Sequence, residues 1–249
     1  MQEWRRRFDA IARDNIHGAT YLLQEAIEVL KTITDSRTMR EATERLVKVQ
    51  PYMAPFYRLA LAIEERGYSV DADFFAKWWQ EFETEQRHIA QEAAALISHK
   101  RVLVHSMSSH VYQTLFIARD IEVVCTESRP KNEGVALCKK LHRQGIPTTL
   151  IIDAAAGYMM EHIDVVLLGA DGIGSFGLVH KIGTYLIALA AREHKKEIVL
   201  LAPRQKWWPE NFTLPSQPKK EGREISEECE ASNYYFDVTP LRFITKIVR

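Results

Sequence analysis

VVLLGADGIGSFGLVHKIGTY, residues 165–185, is the stretch around which the rest of the chain can be read. It opens with four consecutive apolar residues, Val165 to Leu168, the composition of a strand buried on both faces. Asp171 follows at the carboxyl end of that strand, the end at which open α/β sheets bind ligands. Gly172, Gly174 and Gly177 let a loop bend and come close to a ligand. Residues 179–192 read as a helix with Lys181 just inside it. A carboxylate and an ammonium bridged by a glycine loop suit a small anionic ligand. The same pattern also describes an ordinary strand–loop–helix turn with a surface lysine.

Further short apolar runs lie on both sides, at residues 101–105, 121–126, 148–152 and 197–202. Helical patterns at 111–117, 132–144 and 154–162 alternate with them. That rhythm predicts βαβ units and a mostly parallel, Rossmann-like sheet. Residues 1–98 hold little that reads as strand. Trp4, Phe8 and Ile11 recur at helical spacing, as do Leu22, Leu23, Ala26, Ile27 and Leu30, with Asn15 placed to cap the second helix. More helices are expected at 38–49, 53–63 and 72–98. The chain thus divides into a helical domain, 1–98, and an α/β domain, 99–249. After Pro203 the rhythm is lost in a segment carrying Pro209, Pro215 and Pro218. It reads as a long loop or lid, with a short helix at 226–231, a strand at 234–238 and a terminal helix at 241–248. Trp207 and Trp208 in it would form a lid, face a partner, or fold back into the core.

The bulk numbers exclude several classes. Apolar residues make up 46% of the 249, enough for a substantial core. The 33 basic and 33 acidic side chains cancel, so bulk charge gives no reason to expect a nucleic-acid partner. Cys125, Cys138 and Cys229 are odd in number and lack metal-type spacing, which fits a reducing, cytoplasmic setting. The first residues lack the apolar stretch of a secretory signal, and no apolar run is long enough to span a membrane.

Strand ends supply the candidate chemistry. Ser106, in the loop HSMSSH, precedes a helix whose free N–H groups would bind phosphate, or it simply lies in a capping turn. Arg129 follows the second strand and could fork onto a phosphate or sit in a surface turn. Asp153 follows the third strand, where capping the next helix would be role enough. Asp171 follows the fourth. Cys125 as a nucleophile would need a base such as His105 or His110. A metal site from His105, His110 and Asp171 has less to support it, and neither metal nor cofactor is expected.

At residues 169–185 the sequence resembles a known family. GAD…HKIGTY is similar to the GAD…NKIGTY block shared by methylthioribose-1-phosphate isomerase, ribose-1,5-bisphosphate isomerase and the alpha, beta and delta subunits of translation initiation factor 2B. ESRPKNEG (127–134) resembles its ETRPxxQG, and NYYFDVTP (233–240) its NPxFDVTP. IIDAAAGYMM (151–160) and PYMAPFYRLA (51–60) resemble blocks of the initiation-factor subunits, and HGA (17–19) stands where the family has RGA. The resemblance implies a helical domain, a Rossmann-like domain, a homodimer formed largely through the latter, and a phosphorylated ligand between the domains.

It also implies roles. Phosphate contacts map to His17, Gly18, Ala19, Arg129 and Lys181, with His180 beside them. Asp171 falls on the catalytic acid of the isomerases, whereas alpha-type subunits tend to have glutamate there. Ser106 stands in place of the catalytic cysteine, and a hydroxyl is a poorer proton carrier than a thiol near neutrality. The glycine loop is one residue short, and His180 and His17 replace asparagine and arginine. Two histidines could supply proton transfer in the cysteine's stead. Two functions are therefore expected. One is an aldose–ketose isomerase, an intramolecular oxidoreductase, acting on a sugar 1-phosphate. The other is a non-catalytic, initiation factor 2B-like regulatory or assembly subunit that senses a sugar phosphate or nucleoside monophosphate and binds a further protein.

Overall fold

The computed structural model describes residues 3–14 and 17–249. Five helices come first: α1 (Glu3–Arg13), α2 (Ala19–Leu30), α3 (Ser36–Val49), α4 (Ala54–Glu65) and α5 (Ala72–Ile97). Two of their starts follow side-chain capping. The Asp35 carboxylate accepts from Thr38 N–H at 2.8 Å to open α3, and Asp71 accepts from Phe74 N–H at 2.9 Å to open α5. Asn15, the expected cap of α2, lies outside the described residues. Phe8, Leu22, Leu46, Phe56, Phe75 and Phe82 meet in one core. The same α5 then sends Ile89, Ala93 and Ile97 into a second core beneath the sheet. One helix therefore ties the two parts together.

The alternating section comprises β1 (Arg101–Val104), α6 (Ser109–Ile117), β2 (Glu122–Thr126), α7 (Glu133–Arg143), β3 (Thr148–Ile151), α8 (Ala156–Met159) and β4 (Val165–Leu168). It continues with β5 (Gly172–Gly174), β6 (Gly177–Lys181), α9 (Thr184–Glu193), β7 (Glu197–Leu201), β8 (Phe236–Thr239) and β9 (Lys246–Val248). Six strands form a parallel sheet in the order β3-β2-β1-β4-β7-β9. All four residues of β4 are buried, as its unbroken apolar run requires. The strand order reverses between β1 and β4, the point at which such sheets place a ligand crevice at the carboxyl ends. Ser106 and Asp171 leave the sheet on either side of it. The architecture is the expected one: a helical N-terminal region followed by a Rossmann-like, mostly parallel sheet.

Three local expectations are corrected. The helix expected over 179–192 starts only at Thr184; residues Gly177–Lys181 are β6, the middle strand of a small antiparallel sheet β5-β6-β8. The partner strand β8 lies more than fifty residues away, and Gly183, at φ +102°, breaks the chain between β6 and α9. The glycine loop is thus a hairpin. A Cβ on Gly172 would lie 2.1 Å from the Trp208 ring, so glycine here makes room for the indole. Next, the expected terminal helix over 241–248 is a single 3-10 turn, Leu241–Phe243, followed by β9 pairing with β7. Finally, residues 226–231 form no helix; a 3-10 turn occupies Gly222–Glu224 instead.

The tryptophan pair folds back. Trp208 is buried against Tyr52, Ala54 and Val179, and the Trp207 Nε1–H donates to the Ala202 carbonyl at 3.1 Å. The segment after Pro203 is pinned by Tyr52 O–H to the Pro215 carbonyl and by Gln217, which bonds both backbone groups of Phe236 at 2.9–3.0 Å. Among the described residues no helix is long and apolar enough to cross a membrane.

Candidate functional site

The β1 end sets the floor of the crevice. His105 is buried, and its two ring nitrogens are both engaged. Nε2 lies 2.8 Å from the Ile182 carbonyl, which can only accept, so Nε2 carries the proton. Nδ1 then accepts from the Thr126 hydroxyl at 2.6 Å. Burial pushes this imidazole below its ordinary pKa, with Lys181 adding to the effect. Ser106 follows with φ +66°, its N–H on the Ser128 hydroxyl oxygen at 2.7 Å. The left-handed conformation turns the chain toward α6, whose N-cap Ser108 lies against Gly169 just after β4. Asp153 does not cap the turn that follows it: its two oxygens accept from the N–H groups of Ser128 and Arg129, both at 2.7 Å. This braces the Arg129 loop. The exposed Arg129 guanidinium reaches over to the carbonyls of Glu224 at 3.2 Å and Ile225 at 3.5 Å.

The β4 end carries Asp171. Its N–H bonds the Val179 carbonyl at 3.0 Å, and its carbonyl accepts from Ala54 N–H, at the start of α4, at 2.9 Å. Burial pushes the Asp171 carboxyl up to about 6, Glu133 pushes the same way, and Lys206 and Lys181 oppose both. Lys181 is buried and donates to Glu133 Oε1 at 2.7 Å. His180, one residue earlier on β6, is buried with Nδ1 2.8 Å from the Thr184 hydroxyl. In β8 Asp237 stands opposite His180 and accepts from the N–H groups of Gly183 and Tyr185 at 2.8 and 3.1 Å. It thereby caps α9, so the KIGTY and FDVTP blocks are physically one unit.

The helical part contributes the His17–Gly18–Ala19 turn. Thr20 shares a 2.9 Å hydroxyl contact with Ser109, and the backbone at Gly18 faces the Met107 carbonyl. The turn therefore abuts the Ser106 loop. The His17 imidazole itself is exposed, paired with Asp14 at 2.7 Å and stacked on Tyr21. Cys125 is buried, and that burial raises its thiol far from the range of a nucleophile. His110 is buried against Phe82 and held down to about 3 by burial, with Lys206 adding to it. The Cys125 nucleophile is thus corrected. Among the described residues no group of three His, Cys, Asp or Glu converges as metal ligands would.

Sequence reading missed several members of this site. Lys206, buried in the 3-10 turn Arg204–Lys206 after β7, feels the charge of Asp171: burial lowers its pKa and Asp171 opposes the shift. The strand-end rule that singled out Asp171 applies to it equally. Glu133 pairs with Lys181 through Oε1, while its Oε2 is buried without a partner among the described residues. The Tyr235 ring has the ammonium groups of Lys220, Lys181 and Lys131 at 5.0, 5.3 and 5.8 Å. The Glu224 carboxylate accepts from the Tyr235 hydroxyl and from Lys131 at 2.5–2.7 Å.

The chain is similar to known proteins over its whole length. The profile described as the initiation factor 2 subunit family matches residues 15–249. Ribose 1,5-bisphosphate isomerase of Archaeoglobus fulgidus is 30% identical over 284 residues, an alignment covering 100% of this chain and 88% of that protein. A putative translation initiation factor eIF-2B subunit 2-like protein of Pyrococcus horikoshii is 31% identical over 95% of this chain and 90% of its own length. The crystal structure of the Pyrococcus horikoshii translation initiation factor eIF-2B superposes with a TM-score of 0.89 at 28% identity, covering 100% of this chain and 95% of that one. The chain belongs to the initiation factor 2 subunit family, the group related to initiation factor 2B alpha, beta and delta subunits.

Proposed function

We propose that the crevice between β1 and β4 binds a phosphorylated sugar and that the protein is an aldose–ketose isomerase acting on a sugar 1-phosphate. The observation that carries this reading is Asp171, just past the switch point of the sheet, a carboxyl raised to about 6 by burial while two buried ammonium groups, Lys206 and Lys181, act on it. Such a carboxyl can hold or release a proton near neutrality, as acid–base chemistry on a sugar requires. Arg129, Lys181, Lys206, the turn at His17–Gly18–Ala19 and the α6 N-terminus supply charge and N–H donors for phosphate. Ser106 stands where the resemblance places a cysteine, and serves as a hydrogen-bonding group at the rim. The name of the Archaeoglobus relative supports a bisphosphorylated pentose as the first ligand to try.

Leu150, Ile152, Tyr158, Leu186 and Leu189 stand exposed on β3, α8 and α9 and on the loop after β3. Tyr158 is 82% exposed and Leu186 70%, which suits a face covered by a second copy in a homodimer. Cys125, Cys138 and Cys229 are all free thiols, in keeping with a reducing cytoplasm.

A second reading has its own support. The serine at position 106 and the likeness to an initiation factor 2B protein fit a regulatory or assembly subunit whose ligand shifts an association equilibrium. A sensor needs a partner face on the helical part, yet among the described residues of α1–α5 the exposed large apolar side chain is Tyr21. This favours the enzyme. The two readings share a binding site, which thermal unfolding tests with a panel of phosphorylated pentoses, hexoses and nucleoside monophosphates. Ligand at about 100 times its Kd should stabilise the native state by about 2.7 kcal/mol. The expected result is a shift with an aldose 1-phosphate or bisphosphate. No shift with any compound would remove the sugar-phosphate site from both readings.

A further inference from the structure

We propose that His180 is the catalytic base of this site, its Nε2 lone pair held ready by a tautomer that Thr184 fixes. The inference rests on the isomerase reading and adds the residue that replaces the missing thiol. The Thr184 hydroxyl lies 2.6 Å from the Lys181 carbonyl and 2.8 Å from His180 Nδ1. A carbonyl only accepts, so the one hydroxyl proton goes to Lys181, and Nδ1 must donate to the hydroxyl oxygen. A neutral ring protonated at Nδ1 leaves Nε2 bare. Nε2 makes no hydrogen bond among the described residues, and it is not sealed off as His110 Nε2 is.

The three other histidines that the sequence offers to this site are disqualified one by one. His105 has both nitrogens engaged, by Thr126 and Ile182. His110 Nε2 is buried without a partner behind Phe82. His17 is exposed and already paired with Asp14. His180 instead sits 6.3 Å, centroid to centroid, from His105, and feels the charges of Lys206 and Lys181, the two ammonium groups that also face Asp171. Asp237, opposite in the ladder, is occupied in capping α9. Burial and these cations keep the imidazole neutral, while Asp171 keeps its proton up to about 6. Nε2 thus stays unprotonated and open to a proton, and the Asp171 carboxyl, at about 6, can give or take one near neutrality.

The chemistry balances with these two groups alone. As the bond from C1 to the ring oxygen breaks, Asp171 gives its proton to that oxygen. His180 Nε2 takes the C2 proton, and the electrons of the C–H bond become the C1–C2 double bond of an enol phosphate. Nε2–H then returns the proton to C1 while the C2 hydroxyl proton passes to the Asp171 carboxylate, leaving a ketone at C2. Thr184 is the positioning residue.

The test uses the full-length protein with ribose 1,5-bisphosphate as the probe. Conversion is followed by NMR, and 15N-labelled histidine reports the tautomer. In the wild type the His180 signals should show Nδ1–H and a bare Nε2. His180→Gln should lose kcat on the order of 100-fold or more, with KM changed by no more than about threefold. Thr184→Val, which removes the acceptor of Nδ1–H, should mix the tautomers and lower kcat about tenfold. A proton on Nε2 in the wild type would overturn the assignment whether or not the variants fold. Retention of kcat by His180→Gln would overturn it too, with the isomerase reading left standing. Binding of the probe without conversion by the wild type would bring down both.

Discussion

Asp171→Asn is expected to abolish turnover and, at neutral pH, to make the protein more stable. Burial raises the Asp171 carboxyl from 3.8 to about 6. Between those values the folded chain holds a proton that the unfolded chain has lost, so stability falls as pH rises through the window. Above pH 6 the deficit is constant, at about 3 kcal/mol for a shift of this size. Asparagine has the same shape and no charge to desolvate. Urea unfolding should therefore show the variant ahead of the wild type by about 2–3 kcal/mol at pH 7.5, with the gap closing toward pH 4. Turnover should fall on the order of 100- to 10,000-fold, since a proton donor has been removed. An equal gap at both pH values would mean that the carboxyl is solvated and ionised in the native state. Asp237, also raised to about 6 by burial, is a control. Its oxygen takes two N–H groups of the α9 start, so asparagine there loses the cap as well.

Gly134→Ala is expected to be the most damaging single methyl group in the chain. A Cβ at Gly134 would lie 1.7 Å from the Thr126 carbonyl oxygen and 2.8 Å from the Ser128 hydroxyl oxygen. Neither can yield cheaply. Thr126 ends β2, and its hydroxyl holds His105, while Ser128 holds the Ser106 N–H and is itself held by Asp153. Overpacking usually costs about 1–3 kcal/mol, and a contact against fixed backbone belongs above that range. The variant should be largely insoluble or unfold with a loss above about 3 kcal/mol, read by urea titration. A soluble variant with stability near the wild type would show that α7 can move away from β2. The glycine that closes ESRPKNEG is thus explained by close approach of helix and strand.

What the sequence revealed depended on how local the cause was. The run Val165–Leu168 is buried on both faces, so its composition alone marked a parallel strand, and Asp171 at its end followed from the general rule for such sheets. Residues 179–181 read as helix because LVHKIGTYLIALA is rich in apolar residues and runs into a true helix; what makes them a strand is β8, far along the chain. The short edge strand β9 has the same cause, since its partner β7 ends 45 residues before it begins. Lys206 hides in a segment that reads as a long loop or lid, and Glu133 at the start of an expected helix. Only packing shows that both are turned toward Asp171 and Lys181. His180 was visible as a departure from the family's asparagine, but its tautomer depends on where the Thr184 hydroxyl proton goes, which no sequence pattern records.

The central question is whether the crevice turns over a sugar phosphate, and the most direct measurement is time-resolved phosphorus NMR of ribose 1,5-bisphosphate with the wild-type protein. The expected result is loss of the anomeric phosphate signal and growth of a ketose 1-phosphate signal at a rate proportional to enzyme concentration. Binding that broadens the signals without any new one would contradict an isomerase and leave the regulatory subunit as the reading of the same site.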